Sequence, residues 1–147
     1  GAIVPIIAMS LPLAQTLAIL EVPQAVVQVM TSFTDDPVIL TLIIIGILMV
    51  AGCVMETTPN IVILSPILLP LAQEIGFDDI HFCIVMVTSL GVGFITPPLG
   101  LNLFVVSGLT GTSVIHIAGR AVPYVLAMLS VVILLAFVPE LSLWALN

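Results

Sequence analysis

Positive charge is almost missing from this chain: its 147 residues include no Lys and one Arg against eight acids, for a formal charge of −7. A nucleic-acid groove and a polybasic lipid-binding surface are thereby excluded, because nothing here could neutralise phosphates. Charge of either sign is scarce, at 6% of residues, where soluble domains carry about a quarter. Cysteine is limited to Cys53 and Cys83, each alone in apolar sequence without C-x-x-C or Cys/His spacing. Neither a disulfide framework nor a zinc site is indicated, and both read as small buried apolar residues. A basic n-region and a cleavage site are lacking before the first apolar stretch, which therefore does not read as a signal peptide. The start at Gly1, without Met, leads us to expect a mature fragment or the later part of a longer chain. What the sequence has in excess is apolar: 61% hydrophobic residues and a mean hydropathy of +1.44. That composition belongs to a membrane protein, all α-helical.

Spanning helices need roughly 20 mostly apolar residues. Stretches free of Asp, Glu, Lys and Arg cover 1–20, 37–55, 57–73, 80–119 and 121–139. Between the first two, Glu21 to Phe33 places Gln24, Gln28, Thr31 and Ser32 on one helical face and Val22, Val26, Val29, Met30 and Phe33 mostly on the rest. With Pro23 in its first turn this reads as a short helix lying along the membrane interface, the alternative being an ordinary polar connection. Segment 37–73 either crosses twice or dips in and returns, with its turn at Met55-Glu56-Thr57-Thr58-Pro59-Asn60. Both readings return the chain to its starting side, and they differ in the depth of Glu56, aqueous for two spans and mid-membrane for a hairpin. His81 and His116 flank the fourth block, where interfacial solvation explains them. Arg120 places 108–120, expected as a loop, on the cytoplasmic side by the positive-inside rule, and the acidic loops then face outward.

The fourth block contains Leu90-Gly91-Val92-Gly93-Phe94-Ile95-Thr96-Pro97-Pro98-Leu99-Gly100-Leu101-Asn102. Its prolines lack N–H groups and clash with the preceding turn, so the helix should break near 93–97. Broken backbone at membrane depth is tolerated only where it is buried in protein or lines a wet cavity, since each unsatisfied group costs several kcal/mol. Two interruptions, here and at 55–60, suggest a shared site. Carbonyls freed at Gly91 to Ile95, with the Thr96 hydroxyl, suit a hard cation such as Na⁺. The N-terminus of the second half-helix presents positive dipole to an anion, and the turn adds Thr57, Thr58 and the Asn60 amide.

The runs Gly52-x-x-Met55-Glu56-Thr57-Thr58-Pro59-Asn60-Ile61-x-Ile63-Leu64-x-Pro66-Ile67-Leu68-Leu69-Pro70, Asp79-x-His81-Phe82, Gly93-x-Ile95-Thr96-Pro97-Pro98-x-Gly100-Leu101-Asn102-Leu103-Phe104-Val105 and Pro139-x-Leu141-Ser142-Leu143-Trp144 resemble the C-terminal third of the large membrane (M) subunit of TRAP (tripartite ATP-independent periplasmic) transporters. The resemblance implies the second inverted repeat of an elevator-type, sodium-driven importer of organic anions such as sialic acid or C4-dicarboxylates. Such a subunit is a multi-pass protein of the bacterial inner membrane. Its implied partners are a small four-helix membrane subunit, a periplasmic substrate-binding protein, the first repeat of the same subunit and the lipid bilayer, with no nucleic acid. By the same resemblance, 1–20 and 121–138 are scaffold transmembrane helices, 21–36 is an interfacial arm helix, 37–73 a re-entrant hairpin and 80–107 a discontinuous helix. Na⁺ as coupling ion would lie among the carbonyls of Gly52, Gly93, Thr96 and Leu99, and the anion beside Thr57, Thr58, Pro59, Asn60 and Asn102. Family members commonly have Asp where this chain has Glu56.

Two other classes stand beside the transporter. One is a non-transporting scaffold subunit of a membrane complex, in which the Gly/Pro breaks are packing devices. The other is an intramembrane hydrolase built on Glu56, Ser65 and His81, against which stand the missing G-x-S-x-G and the lack of paired acids in one span. No catalysed chemistry and no organic cofactor are expected.

Overall fold

The computed structural model describes residues 3–97 and 100–143. Eight α-helices follow one another among the described residues: α1 (Ile3–Ile19), α2 (Val22–Phe33), α3 (Pro37–Val54), α4 (Thr57–Glu74), α5 (Asp79–Ile95), α6 (Leu101–Thr110), α7 (Val114–Phe137) and α8 (Pro139–Leu143). Their boundaries follow local chemistry. Asp36 accepts the Val38 N–H at 2.9 Å ahead of Pro37, and Asp78 accepts that of Ile80 at 2.9 Å, so α3 and α5 both begin on an aspartate cap. Asp36→Ala should lower stability by about 1 kcal/mol while Asp36→Asn holds it, read as the melting temperature of the complete subunit in its membrane complex.

Helix α5 is the hub, packed on α3, α4 and α7 and touching α6 and α8, while α1 and α2 cover α4. Its Phe82, Met86 and Leu90 stack at helical spacing against Leu40, Ile44 and Leu48 of α3 and Ile67, Leu68 and Leu71 of α4. Val85 and Val92, on the other flank, meet Ile45 of α3 and Val125, Val132 and Ala136 of α7. By length and apolarity α3 and α7 suffice to cross a membrane, and the helical stretches 7–19 and 22–33 would do so together but for a 61° bend. At that bend Glu21 adopts a left-handed conformation, φ 55, a backbone state costing a non-glycine residue about 1–2 kcal/mol. Exposed Val, Leu, Ile and Phe cover the outer faces of α1, α6 and α7, as a lipid-facing surface requires.

Two residues, Met55 and Glu56, join α3 to α4, so 37–73 is a helical hairpin. Helix α5 ends at Ile95, so the break expected near 93–97 begins three residues later, at Thr96, whose N–H still closes on the Gly93 carbonyl, and α6 begins at Leu101. Three expectations are corrected. Segment 108–120 is not a loop: α6 runs to Thr110, a three-residue connection spans 111–113, and α7, which continues through Pro123, already includes Arg120. His81 is buried, its ring against Phe77, whereas His116 is exposed. Cys83 lies on the exposed face of α5, and only Cys53 of the two cysteines is buried.

Candidate functional site

Helices α3 and α5 cross where both lack a side chain. Gly52 and Gly93 occupy the last turns of their helices, and both are buried. A Cβ on Gly52 would run into the Leu90 carbonyl oxygen, and one on Gly93 into that of Met49, with Gly52 Cα at 3.0 Å. The two backbones are therefore in direct contact, which sets the hairpin turn beside the break between α5 and α6. Across that contact the Cys53 thiol donates to the Thr96 carbonyl at 3.5 Å.

At the break, Thr96 closes α5 by donating its N–H to the Gly93 carbonyl at 3.0 Å and its hydroxyl to the Val92 carbonyl at 2.6 Å. Its own carbonyl accepts the Gly100 N–H at 3.0 Å. A Cβ on Gly100 would lie 2.8 Å from the Thr96 oxygen and 3.0 Å from the Phe94 oxygen, so glycine lets the chain fold back over these two carbonyls. On the hairpin side, buried Asn60 reaches back from α4 and donates Nδ2–H to the carbonyls of Ala51 at 3.0 Å and Met55 at 3.1 Å. The Ala51 carbonyl, which also accepts the Met55 N–H at 2.9 Å, and the Met55 carbonyl are thus tied to the start of α4.

The arrangement groups backbone oxygens of the α3 and α5 C-termini, at the negative ends of two helix dipoles, with the N-termini of α4 and α6. Such a group can hold a hard cation by carbonyls and present N–H groups to an anion. Of the expected sodium ligands, Gly52, Gly93 and Thr96 come together, and Leu99 lies outside the described residues. Thr57 and Thr58 are half-buried on the first turn of α4, with Pro59 and Asn60 buried behind them. Asn102 is exposed on α6, which packs on α5 and α7 and makes no extensive contact with α4. Sequence reasoning did not single out Gly100 or Cys53. The spacing of Gly100, four residues after Thr96 across two prolines, was the available signal for the first, and nothing in the sequence marked the second.

The family model of the tripartite ATP-independent periplasmic transporter DctM component matches residues 1–141. The chain belongs to the DctM family. Among curated relatives, the isethionate TRAP transporter permease protein DctMQ of Oleidesulfovibrio alaskensis is 35% identical over 142 residues, 97% of this chain and 22% of that protein. The C4-dicarboxylate TRAP transporter large permease protein DctM of Pseudomonas aeruginosa is 37% identical over 138 residues, 94% of this chain and 32% of that one. For the 2,3-diketo-L-gulonate TRAP transporter large permease protein YiaN of Escherichia coli the figures are 34% over 128 residues, 87% and 30%. This DctM-family chain thus spans less than a third of the length of these relatives. Family and apolar helices together make it a membrane protein, and these relatives are named as permeases rather than enzymes.

Proposed function

We propose that this chain is the second repeat of a sodium-coupled importer of a small organic anion and supplies half of its ion and substrate site, the first repeat supplying the rest. The observation that carries the reading is the backbone contact of Gly52 with Leu90 and of Gly93 with Met49, which brings two interrupted helices to one place in a DctM-family chain. Na⁺ would sit among the carbonyls at the ends of α3 and α5, with the Thr96 oxygen and the Leu99 carbonyl. The Thr96 hydroxyl spends its proton on Val92, so its lone pairs remain available to a cation. The anion would meet the N-terminal turns of α4 and α6 at Thr57, Thr58, Pro59, Asn60 and Asn102. Relatives named for isethionate, C4-dicarboxylates and 2,3-diketo-L-gulonate favour a carboxylate or sulfonate of that size, with sialic acid a larger member of the class.

Coupling follows if Na⁺ orders the hairpin turn before the anion arrives, so that each ligand raises affinity for the other. In this reading 37–73 is re-entrant, and 1–20 and 121–138 belong to a scaffold against which the hairpin and broken helix move as an elevator. The arm 21–36 lies at the interface. The partners are the first repeat, a small four-helix membrane subunit and a periplasmic binding protein, in the bacterial inner membrane.

The test is uptake of labelled C4-dicarboxylate, isethionate and sialic acid by proteoliposomes of the complete complex with its binding protein, with and without an inward Na⁺ gradient. Uptake should require both Na⁺ and the binding protein. Thr96→Val should raise the half-saturating Na⁺ concentration about tenfold, the equivalent of about 1.4 kcal/mol. Uptake indifferent to Na⁺ in an intact complex would remove the coupling mechanism.

A further inference from the structure

An apolar groove runs along the outside of the α5–α7 seam. Its volume is about 480 Å³, and Val87, Thr88 and Gly91 of α5 face Met128 and Val131 of α7 across it. Gly91 keeps its floor open, since a Cβ there would meet nothing within 4 Å. The one polar side chain in the wall, Thr88, gives its hydroxyl proton to the carbonyls of Ile84 at 2.7 Å and Val85 at 3.1 Å. The groove therefore has no donor to offer, and hydrocarbon suits it better than water. Nothing in the transport reading uses it.

The start of α7 sets this groove apart from the rest of the lipid-facing surface. Counting back from Met128 in helical steps of four gives Tyr124, Arg120 and His116, all exposed, so a polar stripe continues the line of the groove. His81 lies against the Ala136 carbonyl, so α5 begins where α7 ends, and the Gly91 end of the groove is the one nearer Tyr124. Helical side chains lean toward the N-terminus of their helix, which carries Arg120 and Tyr124 toward that membrane face. Arg120 is the sole Lys or Arg of the chain, and it forms no ion pair with a described residue. Between Asp79 and Glu140 the sequence contains no acid at all. From Arg120 to Met128 the helix rises about 12 Å, at about 1.5 Å per residue.

Cation, aromatic hydroxyl and dry groove thus follow one another in the order of phosphate, glycerol and acyl chain in a phospholipid. One cation cannot hold a membrane surface by charge, but it can pair a single phosphate whose chain the groove retains. An ethanolamine headgroup would bring an ammonium for which this stretch has no acid, whereas a glycerol headgroup leaves a net negative charge for Arg120. A partner helix, about 10 Å across, would lie over the groove rather than in it. We propose that the α5–α7 groove binds an acyl chain of an anionic glycerophospholipid of the phosphatidylglycerol type, its phosphate paired with Arg120 and its glycerol region beside Tyr124.

Melting of the complete, delipidated membrane complex in detergent tests this, with dioleoylphosphatidylglycerol, dioleoylphosphatidylethanolamine or dioleoylglycerol added. The last has the chains without the phosphate. Phosphatidylglycerol should raise the melting temperature saturably, by a few degrees more than either of the others. Arg120→Gln, at an exposed position, should abolish that excess, and Arg120→Lys should keep part of it because the charge remains. Gly91→Leu, which fills the groove and leaves the cation, should abolish it as well. An equal rise with phosphatidylethanolamine, or an excess that survives either Arg120→Gln or Gly91→Leu, overturns the proposal. Loss of another subunit from the Gly91→Leu complex, with no phosphatidylglycerol-specific rise in the unsubstituted one, would place a partner helix there and overturn it too.

Discussion

Gly93→Ala should cost the protein about 3 kcal/mol or more and abolish uptake, while Gly91→Ala, two residues away on the same helix, should be tolerated. The contrast follows from what each methyl group would meet. At Gly93 it strikes the Met49 backbone oxygen with the Gly52 Cα beside it, so relief requires α3 and α5 to separate along a seam that includes Leu40, Ile44, Leu48, Phe82 and Leu90. Overpacking of this kind costs 1–3 kcal/mol even where side chains can yield, and here the obstacle is main chain. At Gly91 nothing lies within 4 Å, and the better helix propensity of Ala is worth up to about 1 kcal/mol. Melting temperature and Na⁺-dependent uptake of the two variants in the complete complex make the comparison. Equal losses would mean that the helix crossing does not govern the site.

Asn60→Ala should destabilise by about 1–3 kcal/mol, because the Met55 carbonyl loses its donor, whereas the Ala51 carbonyl keeps the Met55 N–H at 2.9 Å. Asn60→Asp, of nearly the same shape, should be as bad or worse, because it turns a carboxyl group toward the Ala51 and Met55 oxygens. The measurement also separates two roles. If Asn60 acts mainly on substrate, KM for the anion rises while the melting temperature holds. If it braces the hairpin, the melting temperature falls and uptake falls with it, whatever the substrate concentration.

The helix-breaking chemistry of this chain was legible in its sequence, because prolines and glycines act locally: the turn at Met55 and Glu56 stands where the residues put it, and the interruption before Leu101 begins within three residues of its expected start. The amphipathic pattern of 22–33 and its proline start were legible for the same reason. Tertiary approach was not. Gly52 and Gly93 differ from Gly91 and Gly46 only in what faces them, and no local signal carries that. His81 sits at the edge of an apolar block, where water is the natural partner, yet the α7–α8 corner folds over it and supplies the Ala136 carbonyl instead. Asn60 was legible as functional polarity in an apolar hairpin, but its amide is engaged within the hairpin, and this depends on α3 ending at Val54, six residues before it.

The contact of Gly52 with Gly93 also restricts the kinematics of the molecule. Main chain held against main chain gives α3 and α5 no room to slip by a side-chain rotamer change, so the first arm of the hairpin and the first half of the broken helix form a single lever arm. In the proposed transport cycle, displacement would have to be taken up elsewhere, at the α5–α7 seam of Val85, Val92, Val125 and Val132, where small aliphatic surfaces can shear past one another, or at the Glu21 elbow.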